Sequence, residues 1–142
     1  MWSPTSWHDL AALVGQVEES SALDFKREVG GRASNSEVAK DIAAMTVNGG
    51  ALLYGVEEDP QTRVATALPK VPLQGLEERF RQIAGTRIAP PPEFGFRPLI
   101  EQTGDTEGVA AVVVPPSSLA PHQVEGRFPV RSGRLTCSLD GR

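Results

Sequence analysis

Residues 35–56 read NSEVAKDIAAMTVNGGALLYGV, and this stretch decides how the chain folds. Val38, Ile42 and Met45 recur at helical spacing, so its first half predicts an amphipathic helix. The pair Gly49-Gly50 predicts the end of that helix, because glycine tolerates the left-handed conformation of a helix C-terminus. The apolar run that follows predicts a central strand.

The segments on either side of this stretch complete an α+β pattern. Upstream, Leu23 and Phe25 alternate with Asp24 and Lys26, which predicts a half-buried strand. A first helix is predicted from about Ser6 onwards. The remaining predicted elements lie downstream: a helix opened by Pro72, a hairpin of residues 94–102 and 109–114, and two short strands over 128–131 and 135–138. Ser34 followed by Glu37 predicts a capping box for the central helix.

Composition and charge limit the classes of protein that fit. The chain has 142 residues, of which 39% are hydrophobic and 23% charged, as in one globular domain. A single cysteine, Cys137, excludes an internal disulfide. No signal peptide or membrane helix is indicated, so we expect a cytoplasmic protein. The net charge of −4 argues against a sequence-blind nucleic-acid coat.

Acidic residues near the first strand suggest a metal site. Glu19 lies where the first helix gives way to the strand, Asp24 lies on the polar side of that strand, and Glu57-Glu58 follows the central strand. Three carboxylates from adjacent elements would suit Mg²⁺ or Mn²⁺, which prefer oxygen ligands. Lys26, on the same side of the strand as Asp24, would hold a phosphate or a leaving oxygen beside them. The alternative is that these carboxylates form an ordinary solvated surface.

Basic residues near the C-terminus suggest phosphate contacts. Arg131 and Arg134 flank Gly133, and Thr136 adds a hydroxyl group. Guanidinium groups bind phosphate through two parallel hydrogen bonds. The alternative is a turn whose arginines are solvated.

Four blocks of sequence, in this order, resemble the Schlafen AlbA-type domain family over roughly residues 18–138. Glu19–Lys26 resembles the family's opening Glu-Ser…Glu-Phe-Lys motif, and Lys40–Val56 resembles its helix, Gly-Gly turn and strand. Val112–His122 resembles its late strand and the loop that follows. Phe128–Thr136 resembles its closing Arg-x-Gly-x-x-Thr motif. The resemblance implies an α+β fold with helices packed on a curved mixed β-sheet. Residues 1–17 would form an N-terminal helix and residues 139–142 a tail.

The resemblance also implies an activity. Some members of this family are metal-dependent endoribonucleases that cut structured RNA with three carboxylates. Glu19 and Asp24 match two of them, and Glu57 or Glu58 the third, with Glu57 preferred. Asp24 departs from the family's usual Glu. Because those ribonucleases pair two such modules, a clamp built from this chain would require a homodimer.

The leading hypothesis from the sequence is a nucleic-acid-binding module for DNA or structured RNA. In it, Lys26, Arg27, Arg131 and Arg134 contact phosphates. The first alternative is an Mg²⁺- or Mn²⁺-dependent endoribonuclease using Glu19, Asp24 and Glu57 as catalytic and metal-binding residues. The second is a protein-interaction or nucleotide-sensing regulatory module.

Overall fold

The computed structural model describes residues 3–16, 19–20, 22–132 and 135–140. It contains three α-helices, which are α1 (Trp7–Leu13), α2 (Asn35–Met45) and α3 (Leu76–Arg87). Its strands are β1 (Leu23–Lys26), β2 (Gly50–Tyr54), β3 (Glu57–Glu58), β4 (Ala65–Ala67), β5 (Val71–Pro72), β6 (Gly95–Leu99), β7 (Glu107–Val114), β8 (Arg127–Ser132) and β9 (Leu135–Asp140).

The main sheet is mixed and is built around β2 and β7. β1 pairs in parallel with β2, and β2 pairs antiparallel with β7. β5 and β6 both pair antiparallel with β7, so β1 is an outermost strand. β3 with β4, and β8 with β9, form two further two-stranded antiparallel sheets. The predicted α+β fold, the central strand and the hairpin of β6 and β7 are therefore confirmed.

Helices cover both faces of the main sheet, and the two-residue period of the strands explains how. Leu52 and Tyr54 of β2 point to one face, where they pack in a core with α2 and α3. Ala51 and Leu53 point to the other face, where they pack with α1. β2 is buried on both faces, and accordingly it carries no charged residue and only one polar side-chain group, the hydroxyl of Tyr54.

The Gly-Gly stop after α2 is required by close packing as well as by conformation. Gly49 has a φ of 83°, in the left-handed region that favours glycine. A Cβ added at Gly50 would lie 2.3 Å from Met45 Sδ and 2.9 Å from the Ala22 carbonyl oxygen. The glycines thus let β2 start directly beneath the end of α2, alongside β1.

Several element boundaries differ from the sequence prediction. α1 ends at Leu13, where the predicted helix extended to about residue 17. Pro72 lies in β5, and α3 begins four residues later, after Gly75 with a φ of 73°. Ser34 precedes α2 but makes no side-chain capping hydrogen bond. β9 continues to Asp140, inside the predicted tail. Among the described residues, no helix is long and apolar enough to cross a membrane.

Candidate functional site

A polar pocket of about 250 Å³ lies where β1, α2, β3, the turn before β4 and the sheet of β8 and β9 come together. We call it the carboxyl pocket. It is lined by Glu19, Asp24, Phe25, Lys26, Glu37, Asp41, Glu58, Arg63, Arg131 and Thr136. Four of the sequence-predicted residues, Glu19, Asp24, Lys26 and Arg131, are therefore brought together.

Glu19 is buried beside the edge of β1. Its Oε2 accepts a hydrogen bond of 2.9 Å from the backbone N–H of Phe25. Burial, followed by hydrogen bonds with Asp24 and Glu58, raises the pKa of Glu19 to about 9. At neutral pH Glu19 is therefore a protonated, neutral acid, which avoids charge repulsion with the carboxylates of Asp24 and Glu58.

Asp24 and Lys26 form the centre of the pocket because their side chains alternate with the core residues of β1. Asp24 is only 4% exposed. Lys26 Nζ lies 3.4 Å from Asp24 Oδ2 and 3.4 Å from Asp41 Oδ2. Burial opposes the charge of Lys26, but the carboxylates of Asp41 and Asp24 outweigh it and raise the pKa of Lys26. Burial also raises the pKa of Asp41, against the pull of Lys26.

Arg131 joins β8 to β1 from inside the pocket. Its side chain is 4% exposed, and Nη1 lies 3.5 Å from Asp24 Oδ2. Nη2 donates a hydrogen bond of 2.6 Å to the Ser20 carbonyl oxygen. Nη1 also contacts Thr136 Oγ1, which in turn donates to Asp41 at 3.4 Å. The guanidinium group predicted to bind phosphate is thus used internally, while Arg134 lies outside the described residues.

The structure separates the two glutamates that follow the central strand. Glu58 lines the carboxyl pocket, where its Oε1 accepts a hydrogen bond of 2.7 Å from Arg63 Nη1. Glu57 instead points outwards, with Oε1 3.5 Å from Nε of Arg27. Arg27 has 68% of its side chain exposed. Of the two alternatives for the third acid, Glu58 is the one that shares a pocket with Glu19 and Asp24.

Three polar pocket residues, Glu37, Asp41 and Arg63, were not predicted as site residues, and Glu37 was predicted only to cap α2. Asp41 lies between Val38 and Met45 on the apolar side of α2, and a charged residue in an apolar stripe was the available signal. No local pattern marked Arg63, which reaches the pocket from the turn before β4. Its φ of 61° shows that this turn has a left-handed conformation.

The side chains of the carboxyl pocket are arranged as ion pairs and not as ligands of a metal ion. Within the part of the chain that the structure describes, no group of three or more His, Cys, Asp or Glu side chains is arranged to hold a metal ion. The carboxylates are already engaged, since Asp24 faces Lys26 and Arg131, and Glu58 faces Arg63. As placed, the residues do not fit a bound Mg²⁺ or Mn²⁺.

The sequence profile of the family described as Schlafen, AlbA_2 matches residues 19–139, a span that contains every residue of the carboxyl pocket. The chain belongs to the Schlafen, AlbA_2 family. Among curated proteins, none matches the chain.

Two solved structures are similar to this Schlafen AlbA_2 domain. One is the DIP2311 protein from Corynebacterium diphtheriae, with 20% identity, a TM-score of 0.57 and 95% of this chain covered. This chain spans only 26% of that protein. The other is the N-terminal domain of a protein from Nitrosomonas europaea whose name relates it to the ATP-dependent DNA helicase RecG. It has 19% identity and a TM-score of 0.54, with 92% of this chain and 88% of that chain covered. At these identities the likeness concerns the fold.

Proposed function

We propose that this domain is a nucleic-acid-binding module that holds backbone phosphates at the mouth of the carboxyl pocket. The observation that carries the proposal is the position of Lys26 and Arg27 at adjacent residues of one strand end. Lys26 keeps 37% of its side chain exposed, and Arg27 keeps 68% exposed. The family membership and the RecG-related name of one structural neighbour support the same class of partner.

The ion pair between Arg27 and Glu57 offers a two-sided test. We expect Arg27→Gln to weaken binding, because it removes one cation from the phosphate-facing surface. We expect Glu57→Gln to strengthen binding, because it removes the carboxylate that competes with phosphate for Arg27. Both side chains are exposed enough for the fold to tolerate the changes, which circular dichroism would confirm.

The assay is fluorescence anisotropy of the wild type and both variants with tRNA, duplex DNA and single-stranded DNA at low salt. Binding should weaken linearly in log affinity with log salt concentration. Absence of wild-type binding to all three nucleic acids at low salt would refute the proposal. Preference for one of the three would assign the partner as RNA or DNA.

A second candidate function is a metal-dependent endoribonuclease, and the charge balance of the pocket favours it. Five carboxyl and three basic side chains line the pocket, and with Glu19 protonated this leaves an excess of one negative charge. An acidic excess attracts divalent cations. Since the side chains as placed do not fit a metal ion, this candidate requires Lys26 or Arg131 to release Asp24.

The second candidate predicts cleavage of tRNA that depends on Mn²⁺ or Mg²⁺. Asp24→Asn and Glu58→Gln should each abolish it, while Glu57→Gln, outside the pocket, should leave it intact. Cleavage that survives Asp24→Asn in a folded variant would place the activity in another site or in a contaminant. In that scheme Glu19, Asp24 and Glu58 are the residues to test as ligands.

A further inference from the structure

A second cavity, of about 340 Å³, lies between the start of α2 and one side of α3. We call it the basic cleft. It is lined by Arg32, Asn35, Arg79, Gln82, Ile83, Thr86 and Arg87. The α3 residues are spaced three and four positions apart, so they share one face of the helix. Three of the described lining residues are arginines and none is acidic, in a protein with a net charge of −4.

Arg79 carries a fixed positive charge in the wall of this cleft. Its Nε and Nη2 donate to Asn35 Oδ1 at 3.0 and 2.8 Å. Its Nη1 and Nη2 donate to the carbonyl oxygens of Gly30 and Gly31, both at 2.8 Å. All of these acceptors are neutral. Its N–H groups are thus largely occupied, but no carboxylate among these partners cancels its charge, so Arg79 adds fixed positive potential to the cleft.

The other two arginines of the cleft are available to a ligand. Arg32 and Arg87 are exposed, and among the described residues neither lies within 4.0 Å of a carboxylate, although the charge of Arg87 contributes to lowering the pKa of Glu125. By contrast, Arg63, Arg81 and Arg131 each face a carboxylate. The cleft also adjoins Asn35, the first residue of α2, where the helix dipole adds positive potential.

We infer that the basic cleft binds backbone phosphates of the nucleic acid, which deepens the proposed function and rests on it. Asn35 lies on a different side of α2 from Glu37 and Asp41, since two and six residues place them about 160° and 120° away around the helix axis. The cleft and the carboxyl pocket are therefore separated by the helix, about 10 Å across.

The test compares Arg32→Gln and Arg87→Gln with Arg81→Gln in the full chain. Arg81 is a matched control because it lies on α3 but outside the cleft, where it pairs with Glu77. For the nucleic acid that binds the wild type best, each cleft variant should weaken binding roughly tenfold at about 50 mM salt. Each should also reduce the slope of log affinity against log salt concentration by about 1. Arg81→Gln should change neither the affinity nor this slope.

The outcomes separate the two proposals. Wild-type binding that the cleft variants leave unchanged would overturn the cleft as a contact site but leave the proposed function standing. Wild-type binding to no nucleic acid would overturn both. A titration with inorganic pyrophosphate alone measures whether the cleft binds a small phosphate. If pyrophosphate binds in an Arg32- and Arg87-dependent way while nucleic acids do not, the cleft is a site for small phosphates, and its assignment to a nucleic-acid backbone is wrong.

Discussion

Replacing Arg131 with Met tests whether the buried guanidinium holds the C-terminal sheet onto the rest of the domain. Met has a similar length but carries no charge and no donors. The substitution leaves Asp24, 4% exposed, with Lys26 as its remaining ionic partner. It also removes the 2.6 Å hydrogen bond to the Ser20 carbonyl oxygen.

The expected loss of stability follows from these two contacts. Breaking a buried ion pair by removing one partner costs about 3–5 kcal/mol. A hydrogen bond from a charged donor is worth about 1.5–3 kcal/mol, and part of that overlaps with the ion-pair value. Because Lys26 still faces Asp24, we expect the free energy of unfolding to fall by about 3 kcal/mol, the lower end of the range for breaking a buried ion pair.

Urea unfolding followed by far-ultraviolet circular dichroism would measure this loss. With a slope of about 1–3 kcal/mol/M, the midpoint should fall by about 1–3 M. Arg127→Met is the matched control, since Arg127 lies on the same strand but is exposed, and it should change stability by less than about 0.5 kcal/mol. A loss below about 1 kcal/mol for Arg131→Met would refute the reasoning, because that is the range of a solvated surface pair.

A double-mutant cycle with Asp24→Asn would then identify the partner. If the ion pair carries the effect, Asp24→Asn should cost less in the Arg131→Met background than in the wild type, because the buried charge that lost its partner is removed. The coupling should lie in the range of about 0.5–3 kcal/mol for residues in contact. Additive effects would show that Arg131 acts mainly through the Ser20 carbonyl group.

Three other substitutions test the pocket and the packing. Glu19, whose pKa is raised from 4.5 to about 9, binds an extra proton in the folded state between these values, so stability falls as pH rises. Glu19→Gln should remove this dependence, which is a slope of at most about 1.4 kcal/mol per pH unit in the free energy of unfolding. Urea unfolding at pH 5 to 9 measures it, and an unchanged slope would contradict the assignment. Gly108→Ala should cost at least about 1–3 kcal/mol by thermal unfolding, because its Cβ would lie 2.2 Å from the Leu99 carbonyl oxygen; a wild-type melting temperature would contradict this packing. His122→Ala should cost about 2–4 kcal/mol in the same assay, since the buried ring is hydrogen-bonded to Ser117 Oγ at 2.7 Å; a loss under about 0.5 kcal/mol would mean that the ring is solvated.

Local patterns were sufficient for the elements whose signals are local. The alternation of Leu23 and Phe25 gave β1, and the Gly49-Gly50 pair gave the end of α2. The predicted start of α3 was wrong, because proline occurs both in the first turn of a helix and at the edge of a short strand. In this chain Pro72 pairs with Glu107 of β7, and a long-range contact of that kind leaves no mark on the local sequence.

The site was harder to predict because its geometry depends on pairs of residues that are distant in sequence. Both Glu57 and Glu58 follow β2, and only the register of β3 with β4 places Glu58 inside the pocket. The burial of Arg131 likewise depends on β8 lying against α2. The basic cleft joins Arg32 to Arg87 across 55 positions of sequence, so neither the composition nor the spacing of the arginines revealed it.

The contact between Glu19 and Phe25 also protects the chain from its own copies. β1 is an outermost strand, and such a strand offers free N–H and C=O groups on which another chain can grow a continuous sheet. Here the side chain of Glu19 accepts a hydrogen bond from the outward N–H of Phe25, and the backbone N–H of Ser20 donates one to the carbonyl oxygen of Leu23. Glu19, which lines the carboxyl pocket, therefore also hinders self-association, and losing it would expose the backbone N–H of Phe25 to pairing with a strand of another chain.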